Sequence, residues 1–294
     1  MKELVVISGK GGTGKTSITA AFAALARNAV LADCDVDAAD LHLVLGPRVL
    51  ETQDFVGGKR ARINPAECNG CGTCADVCRF EAVRRTEGAD ALDGRYVIDA
   101  IACEGCGVCA AYCPRRAIAF EDCVNGRWYI SQTRFGPMVH AELGIAEENS
   151  GKLVTLIRRE ARRIAEEQGK ELLIVDGSPG IGCPVIASIT GADAVLVVTE
   201  PTLSGRHDLG RVAQLAAHLR VRAMVCINKA DLNAEIAQEI ERDAKERGIA
   251  AAGRIRYTDA FTKAQMRQCS IVECDDGPAA EDTRNLWSKV SNGF

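Results

Sequence analysis

No stretch of the chain is apolar for the ~18 residues needed to cross a bilayer. The N-terminus passes directly into the strand-like "ELVVIS", without the basic region, apolar run and cleavage site of a secretory leader. Membrane-spanning and secreted readings are therefore set aside, and the protein is read as cytoplasmic. An excess of basic charge is also missing, because 36 Lys and Arg against 40 Asp and Glu leave a net charge of −4. That balance gives no electrostatic reason to expect nucleic acid. What remains is an ordinary globular composition, 47% hydrophobic and 26% charged over 294 residues. Such a length fits one large α/β domain, alone or carrying a smaller insert.

Cysteine, by contrast, is abundant, with 14 residues. Eight fall in two runs, "ECNGCGTCADVCRF" with Cys68, Cys71, Cys74 and Cys78, and "CEGCGVCAAYCPRR" with Cys103, Cys106, Cys109 and Cys113. Every cysteine of the second run stands 35 positions after its counterpart, the mark of an internal duplication. In a long chain without a leader, clustered cysteines point to metal rather than to disulfides. The other six, Cys34, Cys123, Cys183, Cys226, Cys269 and Cys274, are scattered, and most are read as small buried apolar residues.

Each run reads C-x2-C-x2-C-x3-C, the bacterial ferredoxin spacing for four-iron clusters. Thiolates are soft ligands suited to iron and sulfide, and the short spacings wrap three of them around one cluster. In duplicated sequences of this type the fourth cysteine of each run ligates the other cluster. Cys68, Cys71, Cys74 and Cys113 are thus assigned to one four-iron cluster, and Cys103, Cys106, Cys109 and Cys78 to the second. Paired zinc sites or structural disulfides are the alternatives; zinc sites usually show two C-x-x-C pairs farther apart. Pro114 follows the last cysteine of the second run, as the pattern expects, but Arg79 follows that of the first. A cation there is expected to alter the second cluster's surroundings without preventing ligation.

Outside roughly 47–130, short β-branched runs alternate with helical stretches. Val5–Ser8, Val30–Asp33, Leu172–Asp176, Ala194–Thr199 and Ala223–Asn228 read as buried parallel strands. Lys15–Arg27, Lys152–Gln168, Ser204–Leu219 and Ala234–Arg247 read as helices. The basic cluster of residues 153–168, "LVTLIRREARRIAEEQ", reads as a solvated face. The expectation is an α/β fold, a doubly wound, mostly parallel sheet spanning 1–60 and 123–294, with a small α+β ferredoxin-like domain inserted at 61–122.

Gly9-Lys10-Gly11-Gly12-Thr13-Gly14-Lys15-Thr16 satisfies G-x4-G-K-[ST] between a strand and a helix, the context a phosphate-binding loop requires. Its glycines let backbone amides converge on phosphate, and the helix N-terminus adds a favourable dipole. Lys15 is expected to reach the β- and γ-phosphates, and Thr16 to ligate magnesium, with Ser17 completing the loop. "LADCDVDAAD" places Asp33 and Asp35 after the second strand; "ELLIVDGSPGIG" ends a strand in Asp176, ahead of Gly180. "CINKADLN" carries Asn228 and Asp231 in an N-K-x-D pattern.

The second lysine, Lys10, makes "KGGTGKT" resemble the deviant phosphate loop of the MinD/ParA/nitrogenase-iron-protein ATPases, and the resemblance extends over nearly the whole chain. It implies that Lys10 reaches across a nucleotide-sandwiched dimer to the partner's phosphates. It further implies that Asp35 positions the attacking water, with Asp33 and Asp176 near magnesium. Asn228 would contact adenine; Asp231 keeps guanine, and so GTP, open. "TRFGPMVHAELGIAEENSGKLV" (133–154) is also typical of the group, and His140 and Glu148 within it are read as structural or switch-coupling. Cys183 lies seven residues after Asp176, where the nitrogenase iron protein carries a bridging ligand, but no second cysteine matches.

These features together imply an ATPase, with ATP, magnesium and two four-iron clusters as cofactors, acting as a homodimer or as a heterodimer with a paralogous ATPase. Dimer closure would gate electron transfer, or metal or cluster delivery, to a redox or metallocofactor-assembly protein. One alternative is an iron–sulfur scaffold or carrier ATPase, although Cys269-x4-Cys274 fits a bridging C-x-x-C badly. The other is a MinD-like spatial regulator with redox sensing, although "PAAEDTRNLWSKVSNGF" lacks a basic amphipathic membrane stripe.

Overall fold

The computed structural model describes residues 1–86, 95–144 and 150–293. In chain order the elements are β1 (Lys2–Ser8), α1 (Lys15–Leu25), β2 (Ala29–Asp33), α2 (Leu41–Leu45), β3 (Arg48–Ile63), α3 (Thr73–Asp76), β4 (Val83–Arg85), β5 (Tyr96–Ile98), α4 (Val108–Ala111), β6 (Ile118–Thr133) and β7 (Gly136–Leu143). There follow α5 (Ser150–Glu167), β8 (Leu172–Pro179), α6 (Cys183–Ile189), β9 (Ala194–Thr199), α7 (Leu203–His218), β10 (Arg222–Asn228), α8 (Ala234–Glu246), β11 (Ala250–Ile255), α9 (Ala260–Met266), α10 (Ile271–Cys274) and α11 (Pro278–Ser291).

Nine strands form one sheet in the order β11-β10-β9-β1-β8-β2-β7-β6-β3. From β11 to β7 every neighbouring pair is parallel, with Val5 opposite Val175 in β8 and Val195 in β9. Strands β2 and β9 are buried along their whole length, as both-face coverage by helices requires. The main core joins Leu4, Val6, Phe22, Leu31, Ile174 and Leu196.

The chain divides into two compact units, Met1–Gln53 with Trp128–Glu142 and Ser150–Phe294, and Asp54–Arg127 with Leu143–Asn149. Glu148 lies outside the described residues. The second unit has its own core of Ala61, Ile63, Cys74 and Cys109, packed against Val77, Tyr96, Ile118 and Phe120. Its duplication extends to the backbone. Gly70 and Gly72 take left-handed φ values of 72° and 83°, and Gly105 and Gly107 values of 60° and 75°. At Gly105 a Cβ would stand 2.0 Å from the Lys59 carbonyl oxygen, so no other residue fits there.

Three sequence expectations change. The long strands β3 and β6, 16 residues each, were not anticipated from a glycine-rich stretch. The basic face of α5 is only partly solvated. Arg158 is buried, and its Nε donates to Glu3 Oε1 at 2.7 Å, while Arg162 Nε donates to Glu3 Oε2 at 2.9 Å. A buried charge needs such a partner, and Glu3 at the start of β1 supplies it. Among the scattered cysteines only Cys34 and Cys226 are buried; Cys123 is half-buried, Cys183 is exposed, and Cys269 and Cys274 are disulfide-bonded.

His140 on β7 is buried, with Nε2 2.9 Å from Ser131 Oγ and its ring stacked on Tyr129 and His42. Burial and then the charge of His42 pull its pKa down to about 4. A histidine depressed in this way stabilises the fold above its ordinary value, and that contribution disappears as the pH falls through about 4. His140→Gln should therefore flatten the acid loss of stability, by at most about 3 kcal/mol. Urea denaturation between neutral and acidic pH reads the change, and identical slopes for the two proteins would refute it.

Candidate functional site

In the first unit the β1–α1 turn shapes a cleft of about 500 Å³. Gly11, Gly12, Thr13, Gly14, Lys15, Thr16 and Ser17 line it, together with Asp35 and Asn228. Gly14 is left-handed at φ 88°, and a Cβ there would stand 2.3 Å from Asn228 Nδ2. That amide donates to the Thr13 carbonyl at 2.7 Å and so fixes the loop from β10.

Lys15 is buried among carboxylates, with Nζ 2.9 Å from Asp176 Oδ1 and 3.3 Å from Asp35 Oδ2. Burial pulls its ammonium down, but the charges of Asp176, Asp35 and Asp33 more than offset this, and its pKa stands above the ordinary lysine value. Thr16 Oγ1 and Thr19 Oγ1 each donate to Asp176 at 2.8 Å. Asp33 is completely buried and accepts from the amides of Asp35 and Leu41, both at 3.1 Å. It thereby sets the shape of the Asp35 loop. Burial, reinforced by the Asp176 charge, raises Asp33 well above the carboxylate range. Burial also raises Asp35, against the opposing pull of Lys15.

Several expected residues do not line the cleft, namely Gly9, Lys10, Asp33, Asp176 and Asp231. Lys10 Nζ lies 3.5 Å from Glu200 and 3.3 Å from Ser204 Oγ. Glu200 also holds Lys229, whose Nζ reaches the Gly12 carbonyl at 3.3 Å. Asp231 Oδ1 accepts from the Tyr257 amide at 2.6 Å, so this carboxylate shapes the loop after β11. Sequence reasoning missed that loop and α9, which bring Arg256, Tyr257, Phe261 and Gln265 to the cleft. Gln265 Nε2 donates to Ser17 Oγ at 2.9 Å. The one signal in the sequence was the Asp231 motif, 26 residues before Tyr257.

In the second unit all eight cysteines of the two runs are unpaired. Two small cavities separate them. Cys68, Cys71, Cys74 and Cys113 line one; Cys78, Cys103, Cys106 and Cys109 line the other. The Gly70 amide points at Cys68 Sγ, 3.4 Å away, and the Ala117 amide at Cys113 Sγ, 3.3 Å away. Burial pushes the Cys74 and Cys109 thiols up, whereas hydrogen bonds from the Thr73 hydroxyl and amide hold Cys71 below its ordinary value. Among the described residues no group of three or more His, Cys, Asp or Glu side chains is arranged to hold a single metal ion.

The sequence is 34% identical to the uncharacterized protein MJ0578 of Methanocaldococcus jannaschii over 235 residues, 79% of each chain. It is 26% identical to MJ0579 of the same organism over 243 residues, 78% of this chain and 81% of that one. The fold matches the cell-division ATPase MinD of Pyrococcus furiosus with a TM-score of 0.58 at 14% identity, covering 100% and 99% of the two chains. A chain of the MinC:MinD complex of Aquifex aeolicus matches with a TM-score of 0.59 at 16% identity, covering 99% and 96%. Residues 4–271, from β1 through the phosphate-loop cleft to α10, match one family, and the chain belongs to it: the CobQ/CobB/MinD/ParA nucleotide binding domain.

Proposed function

We propose that the protein is an ATP-binding and hydrolysing iron–sulfur protein that couples nucleotide-driven dimer closure to electron transfer, or to metal or cluster delivery, in metalloprotein maturation. The observation that carries this reading is the pair of cysteine quartets, each made of three residues from one run and the fourth from the other. They sit in the same chain as a phosphate loop with a buried lysine. Single-ion sites draw four sulfurs close together, with bonds of ~2.3 Å for zinc. A four-iron cluster holds its thiolates farther apart, around a cavity, and amides pointing at the sulfurs favour the thiolate form.

Magnesium fits the cleft on the same grounds. Three buried carboxylates share one lysine, and burial raises two of them, Asp33 and Asp35, above their ordinary value, so added positive charge is favourable there. Magnesium needs only one or two protein oxygens beside phosphate and water, and Thr16 with Asp176 or Asp35 would supply them. When bound, it would neutralise phosphate charge. Lys15 would cradle the phosphates, and Asp35 at the cleft wall would orient the attacking water. ATP is favoured over GTP because Asp231, which guanine would need, does not line the cleft.

Lys10 is the residue for the partner's nucleotide. Glu200 and Ser204 hold it outside its own cleft, so it stays available to a second chain. Two relatives in one organism make a heterodimer with a paralogue a second form of the same arrangement. Lys10→Ala should leave monomer nucleotide affinity nearly unchanged but lower turnover by about 10³-fold, as loss of a trans-acting cation does. Full turnover by that variant would remove the trans role.

Anaerobic purification tests the whole reading. The protein should carry about eight irons, and its reduced form should give an EPR signal whose potential shifts when ATP is added. Binding linkage of about 1–3 kcal/mol is typical. Stoichiometric zinc without iron would overturn the cluster assignment, and potentials identical with and without ATP would overturn the coupling.

A further inference from the structure

Cys269 and Cys274 are bonded to each other, with Cα atoms 6.5 Å apart, while the other twelve cysteines are free. The pair closes a loop with a sequence separation of only five. Disulfide stabilisation grows with loop length, so this bridge is a poor staple for the fold. It is well placed for exchange chemistry, because Cys274 is exposed and Cys269 partly so.

The bridge also lies at a junction of contacts around the nucleotide cleft. Helix α9, just before it, carries Phe261 and Gln265 into the cleft, and Gln265 bonds Ser17. Inside the bridged loop, Glu273 accepts from the Ser270 amide at 2.7 Å and from Arg134 Nε and Nη2 at 2.8 and 2.9 Å. Arg134 also donates to the carbonyls of Gln268 at 3.1 Å and Leu45 at 2.7 Å. Leu45 ends α2, whose first residue, Leu41, is bonded to Asp33. The bridge thus pins a segment that touches both the cleft wall and the helix behind the Asp35 loop.

We propose that Cys269 and Cys274 are a reversible dithiol–disulfide site, exchanging with an external dithiol, whose state sets the affinity of the adjacent nucleotide cleft. This rests on the nucleotide-binding reading of that cleft. In the reducing direction, a thiolate of the external dithiol attacks Cys274 Sγ. The Sγ–Sγ bond breaks, and Cys269 leaves as thiolate and takes a proton. In the bridged form its Sγ lies 3.4 Å from the Ala264 carbonyl, which would offer the new thiol an acceptor. The second thiol of the reductant attacks the mixed disulfide and releases Cys274, which is protonated in turn. The reductant is left as its own disulfide, and two electrons and two protons have moved to the protein. An oxidised dithiol reverses the sequence.

The test uses the full chain, equilibrated without oxygen in mixtures of reduced and oxidised dithiothreitol. Alkylation and peptide mass spectrometry should show Cys269 and Cys274 converting together, with the slope of a two-electron couple. A fluorescent ATP analogue should bind the bridged form about fivefold or more tightly than the reduced form, the lower end of typical coupling between sites. That difference should vanish in the double variant Cys269→Ser, Cys274→Ser. A bridge that never forms at any poise, or one that forms with equal analogue affinity in both states, overturns the proposal while leaving the nucleotide reading intact. If neither form binds the analogue, both the proposal and the nucleotide reading are overturned.

Discussion

Replacing Lys15 with alanine is expected to weaken ATP binding by about 100-fold or more, equivalent to about 3 kcal/mol, and to destabilise the fold as well. The two effects share one cause. Lys15 is the cation set between Asp35 and Asp176, and both carboxylates lie within 3.3 Å of its Nζ. Removing one partner of a buried ion group leaves the other charges uncompensated, at a typical cost of 3–5 kcal/mol. The sign of the pH dependence follows. Asp33 and Asp35 already have raised pKa values in the folded state, so protonating them favours folding, and any stability they contribute is lost as the pH rises through those values. Without Lys15 both should rise further. The deficit of the variant, measured by urea denaturation in EDTA without nucleotide, should be larger at about pH 8 than at about pH 5. Lys15→Met keeps the side-chain length and loses the charge, and it should behave like the alanine variant. A Lys15→Met protein as stable as wild type at both pH values would remove the electrostatic account.

The parts of this site that were legible in the sequence are those whose chemistry is local. A glycine loop between a strand and a helix states its own conformation, because Gly14 needs a left-handed φ and a bare Cα. Strands such as β9 are buried on both faces and read as unbroken apolar runs. What was hidden depends on distant pairing. Asp231 sits in a motif associated with base recognition, yet its carboxylate is bound to the Tyr257 amide, 26 residues away. Tyr257, Phe261 and Gln265 reach the cleft because β11 joins the sheet beside β10, and no periodicity announces that placement. The strands β7 and β11 were missed as well, although neither is shorter than β9. The partnership of Cys269 with Cys274 was invisible because a five-residue separation matches no metal or redox spacing; only the turn between α9 and α10 brings the sulfurs together.

Replacing Cys113 with alanine is expected to remove about four of about eight irons, and the cluster that disappears should be the one held by the first run. The reason is geometric. Cys113 follows the one-turn helix α4, which carries Cys109. Four residues of helix advance the chain by about 6 Å, so the two sulfurs meet different cavities. Cys109 lines the cavity of Cys103 and Cys106, whereas Cys113 lines that of Cys68, Cys71 and Cys74. Cys78 after α3 does the reverse. Double variants separate crossed from uncrossed ligation. Cys113→Ala combined with Cys71→Ala strikes one cavity twice and should lose no more iron than either single change. Cys113→Ala combined with Cys106→Ala strikes both cavities and should leave almost none. If each run instead held its own cluster, the two double variants would exchange results, because Cys106 and Cys113 would then share a cluster. Iron analysis of the anaerobically purified proteins, with circular dichroism to confirm that each variant folds, decides between the two arrangements.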